Sequence, residues 1–214
     1  MPFQRGGTEM EPKWLEWAKQ IQAIAQTGLA YGRDVYDIER FEALRELSVE
    51  IMETHTSAGK EEIRLAFAGD SGYATPKVDV RGAVFREGRI LLVRERSDGA
   101  WCLPGGWADI GLTPSQCVIK EIREETGFEA RTVRLLAVMD KIRHGHPPDA
   151  HHIYKLFFHC EITGGQASGG VETSEVEFFG EDELPPLSLS RNTESQLRMM
   201  FQYGRQPGMP VYYD

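Results

Sequence analysis

The spacing of apolar and polar positions changes character partway along the chain. From Pro12 to Leu29 the residues Trp14, Leu15, Trp17, Ala18, Ile21, Ile24 and Ala25 return every three or four positions, which gathers them on one face of an α-helix. Gly28 and Gly32 are expected to break that helix. The stripe Ile38, Phe41, Leu44, Leu47 and Ile51 predicts a second helix over Asp37 to Met52, and a short third runs from Lys60 to Phe67. Two helices and a turn bury too little surface to stand alone, so residues 1–70 are expected to pack on the rest of the chain or on a second copy of it. A homodimer is therefore the expected assembly.

The turn-rich stretch GDSGYATPK, Gly69 to Lys77, marks a boundary, after which the period falls to two. Val78, Val80, Gly82 and Val84 face one way along a strand, and Arg89 to Glu95 reads as another. Further strands are predicted over Val133 to Met139, Ile153 to Ile162 and Val176 to Phe179, with a closing helix over Thr193 to Tyr203. GGQASGG, Gly164 to Gly170, has the composition of a flexible hairpin connection. These elements predict an α/β domain over residues 71–205, preceded by the small all-helical domain and followed by a tail, residues 206–214.

The composition, 41% hydrophobic and 27% charged, is that of a soluble globular protein rather than a disordered or fibrous one. A net charge of −9 argues against a large basic surface for nucleic acid. No window approaches the ~20 apolar residues of a membrane span, and Met1 to Gly7 lacks a hydrophobic leader core, so a cytoplasmic location without membrane partners is expected. Cys102, Cys117 and Cys160 are odd in number and lack paired spacing, which suits buried free thiols better than disulfides or a thiolate zinc site.

The chemistry is concentrated in Leu103 to Phe128, LPGGWADIGLTPSQCVIKEIREETGF, a loop that becomes a helix. Thr113 as N-cap, Pro114 at the first helical position, Gln116 at capping-box spacing and Gly127 as C-terminal cap delimit a helix over Pro114 to Thr126. At 100° per residue, Val118, Ile119 and Ile122 share the core sector, and Glu121, Glu124 and Glu125 share the opposite one. Their mutual repulsion and the negative end of the helix dipole both disfavour three ionised acids there. A divalent cation reverses that penalty, and clustered carboxylates suit Mg²⁺ or Mn²⁺, which keep room for substrate phosphates. The competing reading is a solvated helix face salted with Lys120 and Arg123.

The span Gly106 to Phe128 resembles the Nudix box, with Gly106, Glu121, Ile122, Glu124, Glu125, Gly127 and Phe128 in register. Leu112 and Lys120 depart from it, standing where the family has a glutamate and an arginine that commonly brace loop against helix; apolar packing by Leu112 is one replacement for that tie. The N-terminal EPKWLEWAKQIQAIAQTGLAY, the segment GYATPKVDVRGAVF, LPGGWAD and EVEFFGEDELPPLS resemble Nudix hydrolases of X-linked nucleoside diphosphates that carry an N-terminal helical domain, most of all bacterial CDP-choline pyrophosphatases. Members acting on ADP-ribose look alike at this level.

The resemblance implies a Nudix α/β/α sandwich with a mixed sheet and a Mg²⁺- or Mn²⁺-dependent pyrophosphatase converting CDP-choline to CMP and phosphocholine, with ADP-ribose as the alternative substrate. It implies a metal site of Glu121, Glu124, Glu125 and the main-chain carbonyl of Gly105, with Glu121 or Glu175 as general base; Glu172 and Glu177 share the latter's acidic run. Arg81 and Arg94 are candidates for holding phosphate, and Tyr73, Trp101 and Trp107 for stacking on a nucleobase. The tract HGHPPDAHH is rich in zinc-binding residue types but has no thiolate partner with matching spacing; its likeness to a His-Pro-rich loop of the CDP-choline-type relatives implies a substrate-side role, with His146 the candidate contact. Two other classes stay open: a nucleotide sensor that binds without cleaving, and an enzyme trimming RNA from an end.

Overall fold

The computed structural model of the chain describes residues 11–214, so the leader-core reading of Met1 to Gly7 lies outside the described residues. Two compact units divide it, one of residues 11–76 with Pro148–His152, the other of Lys77–Pro147 with Ile153–Asp214. Among the described residues no helix is long and apolar enough to cross a membrane.

The helical unit consists of α1 (Lys13–Tyr31), α2 (Val35–His55) and α3 (Lys60–Phe67). Leu15 and Ala18 of α1, Val49 and Met52 of α2, and Ile63 of α3 share one core with Ala68. Helix α1 runs through Gly28 and stops only at Gly32, whose N–H donates to the Gly28 carbonyl. The glycine inside the helix has a packing reason: the Phe41 ring of α2 occupies the space a Cβ at Gly28 would need. Helix α2 begins two residues before Asp37, because the Asp34 carboxylate accepts from the Tyr36 and Asp37 amides and satisfies the first turn.

In the α/β unit the strands are β1 (Lys77–Arg86), β2 (Arg89–Glu95), β3 (Trp101–Cys102), β4 (Gly105–Trp107), β5 (Phe128–Asp140), β6 (Ile153–Gly165), β7 (Thr173–Phe179) and β8 (Tyr212–Tyr213). Helix α4 (Pro114–Thr126) follows β4, a 3₁₀ turn (Lys141–His144) follows β5, and α5 (Glu194–Arg205) precedes β8. The sheet order is β3-β2-β1-β6-β5-β8, with β4 on β1 and β7 on β2. The β1–β6 and β5–β8 pairs are parallel and the others antiparallel, which makes the sheet mixed.

Strand alternation divides the core in two. Val80, Val84 and Leu91 pack with Cys117, Val118 and Ile122 of α4, while Ala83, Ile90 and Leu92 pack with Leu197, Met200 and Phe201 of α5. The sheet is thus covered on both faces, and Gly82 lets α4 settle close, since a Cβ there would lie 2.7 Å from Ile122 Cδ1. The tail adds β8, which pairs Tyr212 and Tyr213 with Ala137 and Val138. All three cysteines are buried and free.

Candidate active site at the glycine loop and helix α4

Helix α4 is closed at both ends by its own sequence. The Thr113 hydroxyl accepts from the Gln116 amide while the Gln116 side chain accepts from the Thr113 amide at 2.8 Å, and Gly127 ends the helix in the left-handed region at φ 71°. With the ends fixed, the three glutamates are fixed in rotation. Glu125 is turned inward, 6% exposed, and its Oε2 accepts from the Gly105 amide at 2.8 Å. Burial pushes its carboxyl up to about 8, against the pull of the Arg81 charge. Glu121 is half-buried and also raised, by burial first and by Glu124 among its neighbours, whereas Glu124 is exposed.

Two glycines bring the loop this close. Gly105 has φ 143°, and the Val80 carbonyl fills the position a Cβ would take; at Gly106 a Cβ would stand 3.2 Å from Glu121 Oε2. A side chain at Gly105 would push β4 off β1, and one at Gly106 would press on the Glu121 carboxylate. Among the described residues, no three metal-ligating side chains stand ready-clustered around one point. The donor chemistry nonetheless fits a hard divalent ion: hard carboxylate oxygens on one helix, two of them raised in proton affinity, beside side-chain-free backbone.

Arg81, expected to meet phosphate, is buried and committed to Asp79, with Nη2 at 2.6 Å from Oδ2 and Nε at 3.0 Å from Oδ1. Asp79 in turn accepts from Lys155 at 2.6 Å, a lysine only 1% exposed. Burial alone would raise Asp79, but the Arg81 and Lys155 charges hold it below its ordinary value. Arg81 also donates to the Leu103 carbonyl at 3.1 Å, and the Leu103 amide donates to Asn192 Oδ1 at 2.8 Å. The peptide just ahead of the glycines is therefore gripped from both sides by buried groups. Of these, Asp79 has a signal in the sequence, two residues from Arg81 on one strand face; Lys155 and Asn192 reach the site through register and loop return.

Arg94 and Glu175, assigned separately to phosphate and to proton transfer, face each other across β2 and β7 as an ion pair at 2.6 Å. Trp107 is half exposed on β4, while Trp101 is buried with its edge against Phe179. Tyr73 belongs to the helical unit, where it is exposed. His146 Nδ1 bonds the Leu189 carbonyl at 2.7 Å, and burial pushes the ring down to about 4, so it is neutral at pH 7. Two other histidines of the tract go to separate partners, His144 to Asp214 and His151 to the Ala66 carbonyl. Glu172 and Glu177 are exposed. Leu112 is 39% exposed, so apolar packing does not replace the family's brace there; Lys120 reaches Asp109 at 2.8 Å instead.

Comparison with known proteins agrees with this arrangement. Residues 12–67 match a family described as a UDP-X-like, N-terminal oligomerisation domain, and residues 75–201 match the NUDIX domain. A Bacillus subtilis (strain 168) protein named "Putative ADP-ribose pyrophosphatase YjhB" is 52% identical over 206 residues, 96% of this chain and 99% of its own. A solved UDP-X diphosphatase is 35% identical with a TM-score of 0.62, covering 94% of this chain and 98% of its own. A solved ADP-ribose pyrophosphatase from Streptococcus suis 89-1591 is 38% identical with a TM-score of 0.61, covering 65% of this chain and all of its own. With the glycine loop, the three glutamates of α4 and a two-faced mixed sheet in place, the chain belongs to the Nudix hydrolases, as a member with a UDP-X-like helical domain ahead of the Nudix domain.

Proposed function

We propose that the chain is a divalent-ion-dependent pyrophosphatase that cleaves a nucleoside diphosphate joined to a second group X. The observation that carries this reading is the placement of the buried Glu125 against Gly105 and of Glu121 beside Gly106, with Glu124 on the same helix. These three side chains, with the Gly105 carbonyl, would hold Mg²⁺ or Mn²⁺. When bound, such an ion neutralises phosphate charge and lowers the pKa of an attacking water. The protein's remaining work is to orient and to accept a proton. Glu121 suits the base role better than Glu175: it is half-buried beside the glycine loop, whereas Glu175 is exposed and already neutralised by Arg94.

ADP-ribose is the substrate favoured by the names of two relatives, one alike over nearly the whole chain. CDP-choline is the second reading, favoured by the sequence likeness in the helical domain and the His-Pro loop. Incubation with ADP-ribose, CDP-choline, NADH and a short RNA, each with and without Mg²⁺, separates them. Hydrolysis of one of the first two that EDTA abolishes and Mg²⁺ or Mn²⁺ restores is the expected result. Binding without product would transfer the chain to the sensor class, and shortening of RNA alone would replace the pyrophosphatase reading.

The helical unit carries the assembly proposal. Trp17, Tyr36 and Leu65 are 57%, 65% and 81% exposed on it, large apolar side chains of the kind that a second copy of the chain would cover. A homodimer is the proposed state, in keeping with the description of the family that residues 12–67 match.

A further inference from the structure

We propose that Lys120 is a tethered counter-cation for Glu121 and Glu124, and that Asp109 is the acid onto which its ammonium withdraws when a divalent ion binds. This rests on the reading above that those glutamates hold the ion. The Nζ lies 2.8 Å from Asp109 Oδ2, 3.4 Å from Glu124 Oε2 and 3.8 Å from Glu121 Oε1. One ammonium is thus shared by three acids, two of them on the metal-binding face. The family's glutamate and arginine are both absent, at Leu112 and Lys120, and Leu112 is too exposed to take over the brace.

The chemistry of the replacement differs from that of a fixed brace. Arginine holds a carboxylate through a rigid planar fork, whereas lysine is a point charge on a flexible four-carbon stem. Lys120 can move between partners without breaking a paired geometry. Asp109 keeps its place independently of the lysine, because its carbonyl accepts from the Leu112 amide at 3.4 Å and from Cys117 Sγ at 3.9 Å, which folds the loop back on α4. Without an ion, Lys120 offsets repulsion between Glu121 and Glu124. With one, the same positive charge opposes the ion unless it swings fully to Asp109.

The two partners therefore have opposite effects on ion affinity. Lys120→Gln removes the competitor and tightens Mn²⁺ binding about three- to tenfold, the range set by one screened charge near the surface acting on a divalent ion. Asp109→Asn removes the refuge, leaves Lys120 on the two glutamates and weakens Mn²⁺ binding by a similar factor. The double variant returns close to wild type, Lys120→Arg is not tighter than wild type, and all differences shrink between 0.05 and 0.5 M salt, roughly as screening lengths shorten. Calorimetric titration of Mn²⁺ into the full chain without substrate reads these directly, and circular dichroism checks that each variant is folded.

Weaker or unchanged Mn²⁺ binding in Lys120→Gln overturns the counter-cation role and leaves Lys120 a plain brace. A wild-type chain that binds no Mn²⁺ overturns it together with the metal reading. Wild-type binding with the predicted opposite signs but no hydrolysis of any tested substrate supports it and removes the substrate reading alone.

Discussion

At the scale of single residues, burial separates acids that the sequence sets side by side. Glu124 and Glu125 are neighbours in sequence, yet one is exposed and the other 6% exposed and hydrogen-bonded to the loop. Glu124→Gln and Glu125→Gln should each lower turnover at least ~100-fold, because each removes a carboxylate that would hold the ion that neutralises phosphate. Near-normal steady-state rates in both variants at saturating Mg²⁺ would defeat the assignment. Asp79 gives a second prediction. Its folded pKa lies below the unfolded 3.8, so its contribution to stability is present above pH 3.8 and lost as pH falls through the folded value. Asp79→Asn should flatten that acid limb in denaturant titrations. It should also cost about 3–5 kcal/mol at neutral pH, since Arg81 and Lys155 stay buried without their shared acid. An unchanged acid limb would show that other carboxylates govern it.

At the scale of elements, helix α4 is the part whose sequence and structure coincide most fully. Its capping box, N-terminal proline and C-terminal glycine are all local devices, and the observed span Pro114–Thr126 is the one they predict. Thr113→Ala should lower stability by about 1 kcal/mol through the lost cap. Gly127→Ala should cost more, about 2 kcal/mol, because a left-handed residue gains a Cβ just where the Ser168 hydroxyl lies. Thermal denaturation of the two variants tests the order; an alanine at 127 as harmless as one at 113 would contradict it. The short strands are less legible. β3, β4 and β8 have two or three residues each, too few for a period to show, and they exist because β1, β2 and β5 offer partners. Gly28 misleads for the opposite reason: alone it reads as a helix breaker, but the Phe41 ring from α2 requires a missing side chain there.

At the scale of the whole molecule, the proposed dimer yields a prediction on mass. A 24.2 kDa chain should elute with light-scattering mass near twice that value, and Trp17→Glu or Leu65→Glu should shift it toward the single chain. A monomeric wild type would sink the dimer. The order of residues is enough to set the two-part organisation, the helix that carries the acids, the glycines ahead of it and the chemistry such a set can support. These are local properties, written in periodicity, caps and residue type. Folding in three dimensions was needed to settle which carboxylate is buried, that Arg81 belongs to Asp79 and Lys155, that Arg94 is spent on Glu175, and that Lys120 has Asp109 in place of the missing brace. Apart from Arg81 and Asp79, two residues apart on β1, those pairings join residues far apart in the chain or turned together by a loop. Their energies come from exclusion of water and from charge at a few ångströms, neither of which spacing along the chain records.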